Sequence, residues 1–326
     1  MKKILTSIFA ILLTLGLVAG CGGGDKKEEK KPAQKANLIL ATGGTSGTYY
    51  PLGGAMAQIW NSKGAGLNVT AQSTGAAVEN LRLINKEDVE LAIVQSDTMD
   101  YAFKGTEIFK EKLANVRAIA YMYPEIIQIV VRADSGINSV ADLKGKTVGV
   151  GAPGSGTEAN FRQIIDVYGL TYDDLKPQYL SFSESADRFK DKQIDAFLVV
   201  AGIPNSAIMD IATQHNIKVL SMSDDMIKKI NEKYPFLASA VVPKDTYKGQ
   251  AADVKTVAVM ATLVAGAKVK DDVIYDVTKT MFENLPDLAK GHAKGKEIKL
   301  ETATKSMTIP FHPGAEKYFK EKGVLK

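Results

Sequence analysis

The chain has 326 residues, with 41 basic side chains against 37 acidic ones and a net charge of +4. Such a balance argues against a nucleic-acid surface, and the well-separated His215, His292 and His312 match no zinc-ligand spacing. The single cysteine, Cys21, excludes an internal disulfide.

Residues 1–20 begin with Lys2 and Lys3 and continue as an apolar run over 4–18, which reads as a secretory signal. The run ends Leu17-Val-Ala-Gly-Cys21, which is similar to a bacterial lipobox. In that motif the Cys becomes the first mature residue and carries a lipid; the alternative is an ordinary signal with an incidental Cys. A lipid on Cys21 would anchor a soluble domain at the outer face of the cytoplasmic membrane or in the periplasm. Residues 21–36 hold three glycines and then mixed Lys and Glu, with little to bury, and read as a flexible tether.

The remaining residues, 37–326, are too many for one ordinary core and suit two domains. A buried strand over 38–42 runs into Gly43-Gly-Thr-Ser-Gly-Thr-Tyr-Tyr-Pro51, and Leu52, Ala55, Met56, Ile59 and Trp60 follow at helical spacing. Strand, Gly-rich turn and helix together can hold an anion, because the first N–H groups and the positive end of the helix dipole face the turn. Next come a strand over 67–71, a turn over 72–75 with Thr74 as an N-cap, and a helix over 76–85. A buried strand over 90–94 ends in Gln95-Ser-Asp97, which caps a further helix. This alternation predicts a mainly parallel sheet covered on both faces, with ligands outside the carboxyl ends of the strands.

Residues 124–132 read as a strand crossing to a second domain, and Ser139 and Asp142 have capping-box spacing. Thr147-Val-Gly-Val-Gly151 then runs into Ala152-Pro-Gly-Ser-Gly-Thr-Glu158 and a helix over 159–168, a second copy of the opening device. Strands over 178–182, 194–200 and 217–221 continue the second domain, 238–242 is expected to return the chain to the first, and 254–265 adds one more strand. Helices over 271–285 and 314–322 complete the first domain. The expected division is lobe 1 from 37–124 plus 244–326 and lobe 2 from 125–243, with a cleft between them.

These motifs resemble the TAXI family of extracytoplasmic solute receptors, which serve tripartite (TRAP) transporters. The resemblance runs from Leu38 to the C-terminus and rests on the two Gly-rich units, Thr74-Gly-Ala-Ala-Val-Glu-Asn80, Gln95-Ser-Asp97, Gln193-Ile-Asp-Ala-Phe197 and Gly202-Ile-Pro204. It implies an α/β type II periplasmic-binding-protein fold, with two lobes, a hinge and an interlobe ligand cleft. The implied function is capture of a glutamate-like amino acid or dicarboxylate and its delivery to a TRAP permease driven by an ion gradient. The carboxylate-clamping arginine known in the other TRAP receptor family is not carried over, because neither Gly-rich loop contains one.

The residues expected at the ligand are Thr45, Ser46, Gly47 and Thr48 from one loop and Ser155, Gly156 and Thr157 from the other, through N–H and hydroxyl groups. The resemblance selects Tyr49 over Tyr50 as a cover for the ligand. Thr74 and Ser96 either touch the ligand or only cap their helices. Gln95 either donates to the ligand or bridges two loops, and Tyr123 either lines the hinge or packs there. Glu158 and Asp97 are the carboxylates considered for a ligand ammonium group. No metal or cofactor is expected. The loops hold no His, no Cys and no paired carboxylates, and they form neither a G-x-S-x-G elbow nor a P-loop. An enzyme on the same fold, with Asp195 or Glu125 as base, and a receptor for an ATP-driven importer are the alternatives.

Overall fold

A computed structural model describes residues 35–326. The signal peptide, Cys21 and nearly all of the tether lie outside the described residues. The chain opens with β1 (Ala36–Ala41), α1 (Tyr49–Lys63), β2 (Leu67–Gln72), α2 (Ala77–Lys86), β3 (Leu91–Gln95) and α3 (Ser96–Lys104). β1 pairs in parallel with β2 and β3, as the alternation of strand and helix predicts. Two long strands then break the parallel pattern. β4 (Val116–Arg132) and β10 (Val254–Gly266) run antiparallel to one another along most of their lengths. Both strands pass through both lobes.

The second lobe is built on β5 (Thr147–Gly151), α4 (Gly156–Val167), β6 (Lys176–Tyr179), α5 (Phe182–Lys190), β7 (Ala196–Ala201), α6 (Ser206–Gln214), β8 (Ile217–Val219), α7 (Asp224–Lys233) and β9 (Ala238–Val242). The strand order β2-β1-β3-β10-β4-β7-β5-β6 therefore joins two α/β lobes through β4 and β10. The helices α8 (Asp271–Glu283), α9 (Leu285–Gly291) and α10 (Pro313–Glu321) close the first lobe. Among the described residues, no helix is long and apolar enough to cross a membrane.

Burial follows this division, with one apolar core on each face of each lobe's sheet. Trp60, Met122, Leu263 and Phe319 share a core in the first lobe, while Ile129, Phe161, Leu198 and Val257 share one in the second. The strand over 238–242 does not return to the first lobe. β9 pairs with Val254–Ala258 of β10, and Val242 packs in a core with Phe197 and Ile208. The return is made by β10 itself, because its first residues are still needed to cover the second lobe's apolar surface.

At the crossing the ladder is irregular. Met260 faces Pro124 and Thr262 faces Tyr121, so Met122 and Tyr123 of β4 stand against Ala261 alone. Such a bulge resets the alternation of side chains. Met122 and Tyr123 consequently enter the same core, and the positions that follow them, Glu125 included, are re-aimed.

Candidate ligand cleft between the lobes

The loop between β1 and α1 forms the wall contributed by the first lobe. Gly47 N–H donates to the Gly44 carbonyl at 2.9 Å, tightening the turn just before the helix. Gly43, Gly44, Gly47, Thr48 and Tyr49 line the cleft. Thr48 occupies the N-cap position of α1, but its side chain makes no capping bond. Its Oγ1 instead accepts the backbone N–H of Gly202, from the other lobe, at 3.1 Å. Ser46 is turned out of the cleft: its carbonyl accepts from Asn205 Nδ2 and Ser206 Oγ, both at 3.1 Å. Thr45, like Ser46, is not among the lining residues.

The second loop supplies the facing wall. Gly151 sits at φ 104°, and a Cβ there would lie 2.9 Å from Ser155 Oγ and Thr157 Cγ2, so only glycine lets the chain turn into α4 at this point. Ser155, Gly156 and Thr157 all line the cleft. Ser155 Oγ also accepts the Glu158 N–H at 3.1 Å and so caps α4. The Gly154 carbonyl accepts from Val78 and Glu79 N–H at 3.1 and 3.0 Å. That contact corrects the reading of Thr74 as the N-cap of α2. The helix start is satisfied by backbone from the other lobe, while Thr74 Oγ1 bonds Asn80 Oδ1 at 2.6 Å and still lines the cleft.

Gln95 reaches the cleft from the end of β3. Its Nε2 donates to Asn160 Oδ1 at 3.0 Å, and Asn160 Nδ2 donates to Asp97 Oδ2 at 2.6 Å. The chain of bonds crosses from one lobe to the other. It leaves Gln95 Oε1 buried without a hydrogen-bond partner, against the Cα of Gly156, where a Cβ would come within 1.4 Å of it. Ser96 is buried at the first position of α3 and does not line the cleft. Asp97 lies behind the lining, and burial pushes its carboxyl up to about 6 despite the bonds from Thr98 and Asn160.

The floor is formed by Glu125, which follows the bulge of β4. Tyr49 OH donates to Glu125 Oε2 at 2.5 Å. Only 2% of Glu125 is exposed, and burial pushes its carboxyl well above the usual carboxylate range; the Tyr49 bond lowers it, and the charge of Asp97 raises it further. Tyr123, fully buried just behind, has an unpaired hydroxyl and packs in the first lobe's core, outside the lining. Glu158 is engaged elsewhere: its Oε1 accepts from Arg162 at 2.6 Å and from Tyr172 OH at 2.8 Å.

Phe182, Val200, Ala76 and Ala77 supply apolar patches between these polar groups. The empty space amounts to ≈ 590 Å³ counted to its open mouth, the size of a small-molecule site. Among the described residues, no Lys, Arg, His or Cys lines it, and Glu125 is its only carboxyl. Two lining hydroxyls meet carboxylates: Ser181 Oγ donates to Glu184 Oε2 at 2.7 Å within the capping box of α5, and Tyr49 OH donates to Glu125. Asp195, considered as a base, accepts Thr147 N–H at 2.9 Å and faces Arg132 at 3.6 Å, away from the cleft. Sequence reasoning weighs Glu125 only as the base of an enzyme and Gln95 only as a donor or a bridge, and it misses Ser181 and Phe182, which enter the lining through the capped start of α5.

Comparison with known proteins agrees with the two-lobed architecture. The chain is 28% identical over 204 residues to the arginine-binding extracellular protein ArtP of Bacillus subtilis (strain 168), covering 61% of this chain and 73% of that one. A protein of Bordetella bronchiseptica RB50 superposes with a TM-score of 0.53 at 17% identity, covering 90% of each chain. The alkanesulfonate-binding protein SsuA of Xanthomonas axonopodis pv. citri, solved with MOPS, gives a TM-score of 0.50 at 14% identity, covering 89% of this chain and 92% of that one. The fold is thus the two-lobed α/β fold of periplasmic solute-binding proteins, as the resemblance implies. With residues 40–323 matching its family model, the chain belongs to the NMT1-like family.

Proposed function

We propose that the chain is an extracytoplasmic receptor that captures a small organic acid between its lobes and delivers it to a membrane permease. The observation that carries this reading is the pair of helix starts, α1 and α4, that line one cleft from opposite lobes. Free N–H groups and hydroxyls there suit carboxylate oxygens without a cationic side chain. The hydroxyl of Ser181 is engaged in the capping box of α5 and that of Tyr49 on the buried Glu125, which favours capture over turnover. We put the hinge at Glu125 on β4 and Met260 on β10, beside the bulge, a division that keeps 37–124 and the end of the chain in lobe 1 and 125–243 in lobe 2, and that gives the start of β10, with Val257 and Val259 in the second core, to lobe 2. The finer reading, a glutamate-like ligand and a TRAP permease, is supported by the TAXI-like motifs. The ArtP similarity favours a second reading, an amino-acid receptor for another class of importer.

Thermal stabilisation of the purified protein by amino acids and dicarboxylates, without product formation, tests capture. Turnover of any ligand would overturn it. Uptake by intact cells that stops on collapsing the ion gradient while ATP is maintained supports the TRAP assignment; uptake that follows ATP alone refutes it. Lipid attachment at Cys21 is tested by Cys21→Ala, which should move the protein from the membrane fraction to the soluble one.

A further inference from the structure

We infer that the floor of the cleft is a subsite for a protonated amine, in which the Glu125 carboxyl and Gln95 Oε1 accept from a ligand ammonium group, so that the ligand is a zwitterionic amino acid and not a dicarboxylate. The inference rests on the receptor reading above and assigns the chemistry of its ligand.

Two acceptors carry it. Glu125 receives one hydrogen bond, from Tyr49 to Oε2, and none to Oε1, although the residue is 98% removed from solvent and lines the cleft. A carboxylate has lone pairs for more than one donor. Gln95 is 3% exposed, and its Oε1 is an orphan acceptor. Its orientation is set from behind. Asp97 Oδ2 takes the Asn160 amide N–H, which turns Asn160 Oδ1 toward Gln95 and so draws Gln95 Nε2 away from Gly156. The oxygen is left facing the start of α4. Buried acceptors without donors are costly unless a partner arrives, and an ammonium group brings three N–H donors and the compensating charge.

The charges around Glu125 point the same way. Tyr49 from α1, Tyr123 from its own strand and Asp97 from the start of α3 are the titratable groups that face it, and none is cationic. A dicarboxylate would place its second negative charge where, among the described residues, no Lys or Arg lines the cleft to compensate it. An α-amino acid meets both halves of the site, with its carboxylate on the N–H groups of the Gly-rich loops and its ammonium on the floor. Burial favours the protonated form of Glu125 in the empty cleft. When the ammonium arrives, the carboxylate–ammonium pair forms and the proton that Glu125 held passes to solvent.

Titration calorimetry of the purified protein near pH 7 tests this, with L-alanine, L-glutamate and L-arginine against propionate and glutarate. Each is measured in two buffers of different ionisation enthalpy. The expected result is at least tenfold tighter binding of L-alanine than of propionate, or of L-glutamate than of glutarate, with a net release of protons. Glu125→Gln should abolish that release and weaken the amino acid by tenfold or more, while its melting temperature equals or exceeds that of the parent. Parental binding without proton release, or unchanged amino-acid affinity in Glu125→Gln, overturns the subsite. Glutarate binding more tightly than glutamate overturns it and leaves the receptor standing. No binding by any of the five compounds overturns both readings.

Discussion

Thr48 Oγ1 accepts the backbone N–H of Gly202 at 3.1 Å, joining the two lobes across 154 positions of sequence. The donor is enclosed, because the Lys294 side chain fills the place of a Gly202 Cβ. Thr48→Val keeps the shape and deletes the acceptor, leaving a buried N–H unpaired at a cost of about 1–3 kcal/mol. Water can reach that N–H when the lobes part, so the penalty falls on the closed form. We expect roughly 5- to 150-fold weaker ligand binding with little change in the melting temperature of the ligand-free protein. Calorimetry and thermal denaturation on the same preparation would check it, and unchanged affinity would count against the latch.

Ser155 combines two tasks that substitution can separate. Its Oγ accepts the Glu158 N–H as the cap of α4, and the residue also lines the cleft. Ser155→Ala should cost about 1 kcal/mol of stability, whereas Ser155→Gly costs only a few tenths because Gly is tolerated at the N-cap. If the hydroxyl touches the ligand, both variants lose affinity alike although only the alanine variant is clearly less stable to urea. An affinity loss confined to Ser155→Ala would assign Ser155 to the helix alone.

The parts of the site that could be read from sequence are those made by neighbours along the chain. The turns before α1 and α4 and, outside the site, the capping box of Ser139 with Asp142 follow from short spacings, whereas α4 starts at Gly156, three residues before the expected 159, with Ser155 as its cap. What could not be read depends on contacts between distant segments. Thr74 has the composition of an N-cap, yet α2 takes its cap from the Gly154 carbonyl of the other lobe. Ser46 sits in the middle of the expected anion loop, but Asn205 and Ser206 hold its carbonyl outward. The side of the sheet that Glu125 takes is hidden for a different reason. The residue lies in a long apolar strand whose alternation is reset by the bulge at Met122 and Tyr123, so a period of two does not tell which side it takes. The second crossing was misplaced by one strand because β9 and β10 are both apolar and only their pairing shows which one returns.

Gly156→Ala should separate the lobes without unfolding them. A Cβ at that position would lie 1.4 Å from Gln95 Oε1 and 3.3 Å from Ala77 Cβ, both in the first lobe. Gly156 itself is the first residue of α4, where alanine is an acceptable helix former. The clash therefore bears on closure and not on either core. Small-angle scattering should show a larger radius of gyration in the presence of ligand than the parent has, with affinity reduced by more than tenfold and far-UV circular dichroism unchanged. A variant that closes normally would mean that Gln95 can swing aside at little cost.

Asp97 and Glu125 should make the ligand-free protein less stable as pH rises, against the usual trend for carboxylates. The folded-state carboxyl of Asp97 is pushed from 3.8 to about 6, so between those values the unfolded chain gives up a proton that the folded chain retains. Its contribution is undiminished below about pH 4 and is lost as pH rises through 6, about 3 kcal/mol in all. Glu125 acts in the same direction from its ordinary value of 4.5 upward, because burial raises it well above that. His292 and His312 oppose both, since burial lowers them and the folded form sheds their protons more readily. Half-buried carboxylates held low by hydrogen bonds and lysines, such as Asp174 and Asp287, matter only below this window. The comparison that isolates the effect is therefore parent against Glu125→Gln, by urea denaturation from pH 4.5 to 8. We expect the two to coincide at the acid end and the variant to gain progressively above it, because Gln can still accept from Tyr49 but carries no charge to bury. Parallel curves would mean that the Glu125 carboxyl ionises in the folded protein as easily as in water, and would remove the basis for proton release on binding.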